Sequence, residues 1–314
     1  MSISYIPFAA AADEHGLIHA DEFGSRGENP RDLIELSRRR VLTRVRRGSY
    51  ALTSLWLQAD AAERHRLRLR ATLRGVGSDF AAAAGSAAVV WGLPLIDPPS
   101  DSVTLLGPFR GGGRSDPGVR RITRAYSHAT IVDHDGFRVT DPARTAADLA
   151  AEDGFIAGVM AFDALLRMGL VDRGQLENFE AQSGFRAHRA VIARSIASAT
   201  ALSESPGESA GRAVILLAGF DTPKLQHEFV VDGQRLRVDF YWPDAQVVVE
   251  FDGKAKYVDR EFTGGDPGEV VWREKLREDL LRRVVRQVVR MTWADVRFPR
   301  NLVGQLAAAG VPRR

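Results

Sequence analysis

The sequence has no cysteine among its 314 residues. Disulfide bonds, thiolate metal sites and cysteine nucleophiles are therefore excluded. Because a chain without disulfides suits a reducing compartment, we expect a cytoplasmic protein. The seven histidines also lack the His-Glu-x-x-His spacing of zinc hydrolases, which argues against that class of enzyme.

Long apolar segments are also missing. The longest uncharged run, Phe80–Ile96, is rich in alanine and is interrupted by Gly92 and Pro94. A bilayer-spanning helix needs roughly 20 apolar residues, so we expect a buried helix here and no membrane association. Near the start, Asp13 and Glu14 interrupt a short alanine run, and we therefore expect no signal peptide.

The remaining composition is that of a folded protein, with 45% hydrophobic and 26% charged residues. A chain of 314 residues can form two or three domains, each with its own core. We expect a DNA-binding domain at residues 1–54, an α+β middle domain of unassigned role at 55–200 and an α/β domain at 201–314. The net charge of +3 is small, but it is unevenly distributed.

Acidic residues are absent from the most basic part of the chain. Six of the ten residues from position 38 to position 47 are arginine, namely Arg38, Arg39, Arg40, Arg44, Arg46 and Arg47. A solvated basic face is the simpler interpretation. The density of arginine without any acid favours contact with the phosphates of double-stranded DNA, with salt-dependent affinity.

The surroundings of this cluster predict a winged helix-turn-helix. Ile18–Phe23 and Pro30–Arg40 suit two short helices separated by a polar turn, and residues 41–51 alternate like a pair of strands. Two helices followed by a basic β-ribbon are typical of this DNA-binding motif, in which the second helix enters the major groove.

A second informative segment combines strand-forming residues with acids. The runs Leu225–Val231 and Arg235–Trp242 flank Asp232-Gly233, a strong signal for a type I′ hairpin. If these two residues form the loop, counting back along both strands sets Gln226 opposite Asp239.

The next strand is predicted at Val247–Phe251. A loop centred on residues 244–245 would set Asp239 opposite Glu250. A type I turn with Pro243 in its second position would shift the pairing by two residues, and both carboxylates would still share one face.

The opposition of the carboxylates of Asp239 and Glu250 is unfavourable and requires an explanation. Opposed side chains on antiparallel strands lie about 5 Å apart at Cβ, where two carboxylates repel each other. Asp252 adds a third acid to the same face, since side chains on a strand repeat every second residue. A hard cation, Mg²⁺ with Mn²⁺ as a substitute, would relieve the repulsion and promote phosphodiester hydrolysis. Lys254 or Lys256 could orient the attacking water. The alternative is an acidic strand face exposed to solvent.

Residues 203–296 resemble the PD-(D/E)XK nuclease superfamily, most closely its very-short-patch-repair-like branch. The resemblance covers the segments of Glu208, Gln226, Asp239, Glu250-Phe251-Asp252-Gly253 and Trp293-Ala294-Asp295. It implies a restriction-endonuclease-like mixed sheet flanked by helices. It also implies that Gln226 supports the catalytic site.

The sequence departs from the parent superfamily at one position. Where that superfamily has lysine two residues after the glutamate, this chain has Asp252. The related branch often carries a histidine four residues beyond this aspartate, and Lys256 fills that position here. Lys256 is therefore our first choice for the basic role, and Lys254 is the second.

Glu208 has two interpretations. Ser205-Pro206-Gly207-Glu208 fits a helix-capping box with proline in the first turn, and Gly219 would end the helix. In the resembled family the equivalent glutamate can reach the metal. Both roles remain open at this point.

The N-terminal region, ending in Arg-Arg-Gly-Ser-Tyr-Ala, resembles the AbiEi antitoxin family of winged-helix proteins, and residues 86–94 and 139–149 agree with that resemblance. The predicted function is therefore a Mg²⁺-dependent DNA endonuclease with its own winged helix, acting in DNA repair or in defence against foreign DNA. The alternative is an antitoxin or transcriptional regulator with an inactive nuclease fold. A homodimer is compatible with both, and a cognate toxin would be the partner in the alternative.

Overall fold

A computed structural model describes residues 11–108, 116–253 and 267–314. The chain forms two compact units: unit 1 comprises Met1–Glu152 and Gln175–Arg189, and unit 2 comprises Asp153–Gly174 and Ala190–Arg314. Each unit combines helices with a mixed β-sheet, which confirms the α/β (α+β) fold class at this level. The three domain ranges expected from the sequence stay predictions.

Unit 1 begins with a three-stranded antiparallel sheet in the order β1-β3-β2. Its elements are β1 (Leu17–His19), α1 (Ala20–Ser25), α2 (Pro30–Arg38), β2 (Leu42–Arg46) and β3 (Ser49–Leu52). Asn29 caps α2, because its side chain accepts a hydrogen bond from the backbone N–H of Arg31, and Pro30 occupies the first helical turn. Phe23 and Leu33 are buried in the core between the helices and the sheet.

Two predicted boundaries in this region are wrong. Ile18 belongs to β1, where it pairs with Tyr50 of β3, and α1 starts only at Ala20. At Ile18, strand pairing with β3 outweighed the local preference for a helix. Helix α2 ends at Arg38, two residues earlier than predicted, because Arg40 adopts a left-handed backbone with φ 60°.

The rest of unit 1 is built on a five-stranded mixed sheet in the order β6-β5-β4-β8-β7. Its strands are β4 (Ala81–Ala82), β5 (Val103–Leu106), β6 (Val119–Ile122), β7 (Ile131–His134) and β8 (Phe137–Thr140). The accompanying helices are α3 (Thr53–Gln58), α4 (Ala61–Leu73) and α5 (Ala84–Trp91). Helix α5 ends at Gly92, in the left-handed region at φ 69°, as the sequence predicts.

Helix α6 (Pro142–Arg167) is interrupted at Gly154, which has the non-helical angles φ 83° and ψ −166°. The two units divide next to this glycine. Helices α7 (Arg173–Gln182) and α8 (Arg189–Ser198) follow. No helix within the described ranges is long and apolar enough to cross a membrane.

Unit 2 contains a four-stranded sheet in the order β12-β11-β10-β9. Its strands are β9 (Lys224–Val231), β10 (Gln234–Trp242), β11 (Val247–Phe251) and β12 (Gln287–Met291), and its helices are α9 (Pro206–Leu217), α10 (Pro267–Leu281), α11 (Trp293–Arg297) and α12 (Arg300–Ala308). Strands β9 to β11 are antiparallel, whereas β12 runs parallel to β11. Leu281 of α10 packs on Val248 in a buried cluster, which fixes this helix against the sheet.

Candidate functional site

The β9–β10 hairpin has the predicted turn. Asp232 (φ 51°) and Gly233 (φ 76°) form its two-residue loop, and positive φ at both positions is the requirement of a type I′ turn. The pairing keeps one register as far as Tyr241. That register sets Gln226 opposite Asp239, as the sequence predicts, although these two residues are not themselves paired and Gln226 has a left-handed backbone at φ 50°.

The β10–β11 hairpin has the first of the two predicted registers. The pairing ends at Phe240 and Val249, and continuing the same register by one residue sets Asp239 opposite Glu250. The positive φ of this loop, 53°, falls on Gln246 and not on an alanine. Ala245, in the middle of the loop, therefore avoids the positive φ that residues with a side chain rarely adopt.

Both opposed acids are engaged within the protein. The Oδ2 atom of Asp239 accepts a hydrogen bond of 2.7 Å from the backbone N–H of Phe251, so the carboxylate lies against the end of β11. Glu250 is 8% exposed, and its Oε1 atom accepts a hydrogen bond of 2.5 Å from Nη2 of Arg277. The same guanidinium nitrogen donates to the carbonyl of Arg237 at 2.6 Å, which ties α10 to β10 beside Asp239.

Sequence reasoning missed Arg277. It lies on α10 among several other charged residues, and no local motif distinguishes it. Its contact with Glu250 joins residues 27 positions apart in sequence, through a helix packed on the sheet. Only the packing of α10 through Leu281 reveals which of its basic residues faces the acids.

Ser205 caps α9 as predicted, but the Glu208 carboxylate accepts from the N–H of Glu204 and not from that of Ser205, which a complete capping box requires. The Ser205 hydroxyl accepts a hydrogen bond from the N–H of Glu208 at 3.2 Å and donates to its Oε1 atom at 2.8 Å, and Oε2 accepts from the N–H of Glu204. Oε2 also accepts a hydrogen bond of 2.8 Å from Nε2 of Gln226. The two residues that the sequence assigned to support and to metal binding are therefore bonded directly to each other.

Asp252 directly follows β11, and its backbone N–H donates to the carbonyl of Met291 at 2.7 Å. Lys254 and Lys256, the two candidate basic residues, lie outside the described residues. We use the name acidic site for the carboxylates of Glu208, Asp239, Glu250 and Asp252.

Two glycines allow α9 to lie close to the strands of the acidic site. A Cβ atom on Gly207 would lie 2.1 Å from Cε1 of Phe251, and one on Gly211 would lie 2.8 Å from the sulfur of Met291. The Phe251 ring also packs edge-to-face on Trp293, with the ring centroids 5.5 Å apart. The backbone N–H that Asp239 binds thus belongs to a residue held by α9 and α11.

The acidic site is not gathered into a full set of metal ligands in the described part of the chain. No three His, Cys, Asp or Glu side chains there are grouped closely enough to hold an ion. The opposed pair Asp239 and Glu250 is the part of the predicted site that the strand register brings together.

The predicted DNA-binding arginines fall into two groups. Arg38 and Arg39 pair with Glu35 on α2 at 3.7 and 2.9 Å, and Arg46 pairs with Asp116. Arg40, Arg44 and Arg47 are exposed, and within residues 11–108, 116–253 and 267–314 they form no ion pair. We call β2, β3 and their turn, which carry Arg44, Arg46 and Arg47, the basic hairpin.

Helix α4 and its C-terminal cap, Arg74, carry a second set of arginines, and these are engaged by other residues of unit 1. Arg66 pairs with Asp135 at 2.6 Å, Arg68 with Asp101 at 2.7 Å, and Arg74 with Asp21 at 2.8 Å. Arg70 stacks over the ring of Phe137 at 4.1 Å. The guanidinium groups of this set are therefore already paired or stacked within unit 1.

No family model matches the chain. Two proteins of Mycobacterium tuberculosis, named "Uncharacterized protein MT2308" (strain CDC 1551 / Oshkosh) and "Uncharacterized protein Rv2248" (strain ATCC 25618 / H37Rv), are each 28% identical to it over 278 residues, which is 87% of this chain and 96% of theirs. The similarity therefore extends through both units.

Among solved structures, the chain is similar to the "Crystal structure of RV2827C protein from Mycobacterium tuberculosis", with 18% identity and a TM-score of 0.39 over 68% of this chain and 83% of that one. A likeness of this size does not establish a shared fold.

Proposed function

We propose that the chain is a Mg²⁺-dependent DNA endonuclease in which residues 201–314 form a restriction-endonuclease-like domain. The observation that carries this proposal is the register of β10 and β11, which sets Asp239 opposite Glu250 beside the parallel strand β12. Two opposed carboxylates on paired strands repel each other, and the hydrogen bond from Arg277 to Glu250 offsets part of that repulsion. Metal-assisted hydrolysis supplies a reason for the pair.

The donor set fits a hard cation. Mg²⁺ needs only one or two carboxylates from a protein and completes its shell with water and substrate phosphate, so Asp239 and Glu250 suffice to hold it. Asp252 and Glu208 are the further acids that the resemblance assigns to the ion. When bound, the metal would polarise the phosphate and lower the pKa of a coordinated water.

The chain's own residues have separate roles in this proposal. Gln226 holds Glu208 through its hydrogen bond of 2.8 Å, which keeps that carboxylate at the start of α9. Lys256 orients the attacking water, with Lys254 as the second choice. The backbone N–H of Phe251 fixes the orientation of the Asp239 carboxylate.

The first part of the chain supplies DNA binding. The order strand, helix, helix and basic hairpin supports a winged helix-turn-helix for residues 17–52. Exposed Arg40, Arg44 and Arg47 bind the phosphates of double-stranded DNA, aided by Arg38 and Arg39.

Incubation of the full chain with supercoiled plasmid tests the proposal directly. We expect nicking or linearisation with Mg²⁺ or Mn²⁺ and none with EDTA. Glu250→Gln should abolish it, whereas Glu228→Gln, which removes a half-exposed carboxylate of β9 that pairs with Arg235, should not. Metal-independent cutting, or wild-type cutting by Glu250→Gln, would refute the assignment.

One observation favours a second function. Glu250 already has a cationic partner in Arg277, and Asp252 stands where the parent superfamily has lysine. Both features suit a DNA-binding regulator or antitoxin whose nuclease fold is inactive. Tight, salt-dependent duplex binding without cleavage under any divalent metal would support this function over the first.

A further inference from the structure

Arg277 lies at the acidic site without a role in the proposed reaction. Its side chain is 29% exposed, compared with 10% for that of Glu250, so part of the side chain remains accessible to solvent beside a nearly buried carboxylate. Nη2 contacts both the Glu250 carboxylate and the Arg237 carbonyl, at 2.5 and 2.6 Å. These contacts fix the position of the cation between β10 and β11, next to the opposed acids.

The side chains around Arg277 carry mostly negative charge, which affects how DNA can approach the site. Glu208, Asp239, Glu250 and Asp252 are all acidic, and a DNA phosphate approaching them is repelled. The side chain of Arg237 does not offset this charge fully, because it is paired with Glu204 at 2.7 Å. A fixed cation beside the acids would lower the electrostatic cost of bringing a phosphate to the site.

We propose that Arg277 binds the DNA phosphate that enters the acidic site. Its planar guanidinium suits phosphate oxygens, and anchoring by Glu250 and the Arg237 carbonyl pre-orients it. Arginine stays protonated in proteins, so Arg277 stabilises charge and moves no proton. The inference rests on the proposed function for the identity of the ligand.

A binding experiment tests the contact without requiring cleavage. The full chain carrying Asp239→Ala is titrated with a short duplex in EDTA at several salt concentrations. Adding Arg277→Gln should reduce the slope of log affinity against log salt by about one unit, the loss of one phosphate contact. Arg277→Lys, which keeps the charge, should restore most of that slope.

Arg282 provides a matched control. It follows the end of α10 and is bonded through Nη2 to Glu278 at 2.6 Å, and this hydrogen bond lowers the pKa of the Glu278 carboxyl. Arg282→Gln also removes one positive charge from this region. It should leave the salt slope within error of the parent, since its guanidinium is bonded to Glu278 and not to a carboxylate of the acidic site.

A rate measurement separates phosphate binding from a purely structural role. At saturating DNA with Mg²⁺, Arg277→Gln should slow single-turnover cleavage by about 10²- to 10³-fold, the usual loss for one fixed group that stabilises developing charge. The shape of the pH–rate profile should not change, because no titrating group is lost. A structural role alone would instead lower the thermal melt and leave the salt slope of the folded variant unchanged.

The outcomes distinguish this inference from the proposed function. If the wild-type chain cuts DNA while Arg277→Gln keeps its salt slope and rate, this inference fails alone. If Arg277→Gln reduces the slope but no variant cuts, the phosphate contact holds and the nuclease proposal fails. If the chain binds no DNA, both fail.

Discussion

The acidic site of unit 2 and the basic hairpin of unit 1 differ in whether their charged side chains have partners within the protein. At the acidic site Glu250 is buried and Asp239 is bonded to the β11 backbone, and each has a partner inside the protein. On the basic hairpin, Arg44 and Arg47 are exposed and form no ion pair within the described residues. Changes at the first should therefore alter chemistry and stability, and changes at the second should alter salt-dependent binding.

Helix α4 shows that a concentration of arginines does not by itself locate a DNA surface. The helix and its cap are also rich in arginine, but Arg66, Arg68 and Arg74 pair with acids of unit 1. Arg40, Arg44 and Arg47 differ in that they form no ion pair within the described residues, whereas the acids that pair with the arginines of α4 and its cap are distant from them in sequence.

The largest effect should come from the opposed acids. Asp239→Ala or Glu250→Ala should abolish plasmid cleavage, because each removes a proposed metal ligand. Glu250→Ala should also cost about 1–3 kcal/mol of unfolding free energy, since it leaves the partly buried Arg277 without its carboxylate. Cleavage assays and chemical denaturation measure the two effects. Retained cleavage by either variant would place the chemistry elsewhere.

The next largest effect should distinguish the roles of Lys254 and Lys256, which lie outside the described residues. Lys256→Ala should lower the single-turnover rate by about 10²- to 10⁴-fold, typical of losing a positioned proton-transfer group. Lys254→Ala should mainly weaken DNA affinity, and added salt should weaken the affinity of the wild type in the same way. The opposite pattern would reverse the assignment.

Substitutions on the basic hairpin should have a smaller effect, and only on DNA binding. Replacing Arg44 and Arg47 together by Gln should flatten the slope of log affinity against log salt by about two units and leave the thermal melt unchanged. Arg46→Gln should flatten it less, because Arg46 pairs with Asp116. Arg74→Gln is the control, since Arg74 is paired with Asp21. An equal effect of Arg74→Gln would remove the distinction between the two arginine sets.

The smallest effect concerns a buried titrating group of unit 1. Burial lowers the pKa of His65 below its ordinary value of 6.5, and its ring is bonded to Ser86 and to the Ser100 carbonyl. A lowered folded pKa gives stability that is present above pH 6.5 and is lost as the pH falls below it. The loss should not exceed about 1.4 kcal/mol per pH unit.

Denaturation of the wild type and of His65→Leu between pH 7.5 and pH 5 measures this dependence as a difference. The wild type should lose more stability than the variant over that interval, because leucine does not titrate. Parallel curves would show that His65 does not contribute.

Local signals predicted much of the acidic site. The Asp232-Gly233 turn fixes the register of β9 and β10, and the Ser205 cap fixes the start of α9. Register follows from counting residues outward from a turn. For β10 and β11 the sequence left two registers open, and the structure has the one that sets Asp239 opposite Glu250.

Contacts between distant segments could not be predicted in this way. Pairing of Ile18 with Tyr50 converted the start of a predicted helix into a strand. The partner of Glu250 depends on how α10 packs across the sheet, and the choice of Arg277 among the basic residues of that helix has no local signature. Both results come from burial of apolar surface, which acts over long sequence separations.

The tight packing of α9 implies that the acidic site can be lost through a mutation that changes no charge. A single methyl group at Gly207 would occupy the volume of the Phe251 ring, with its carbon 2.1 Å from Cε1. Moving Phe251 would also move the backbone N–H that orients Asp239. Natural variants of this protein that carry alanine at position 207 would therefore keep every acidic residue of the site and still differ in its geometry, so a comparison of charged residues alone would misclassify them.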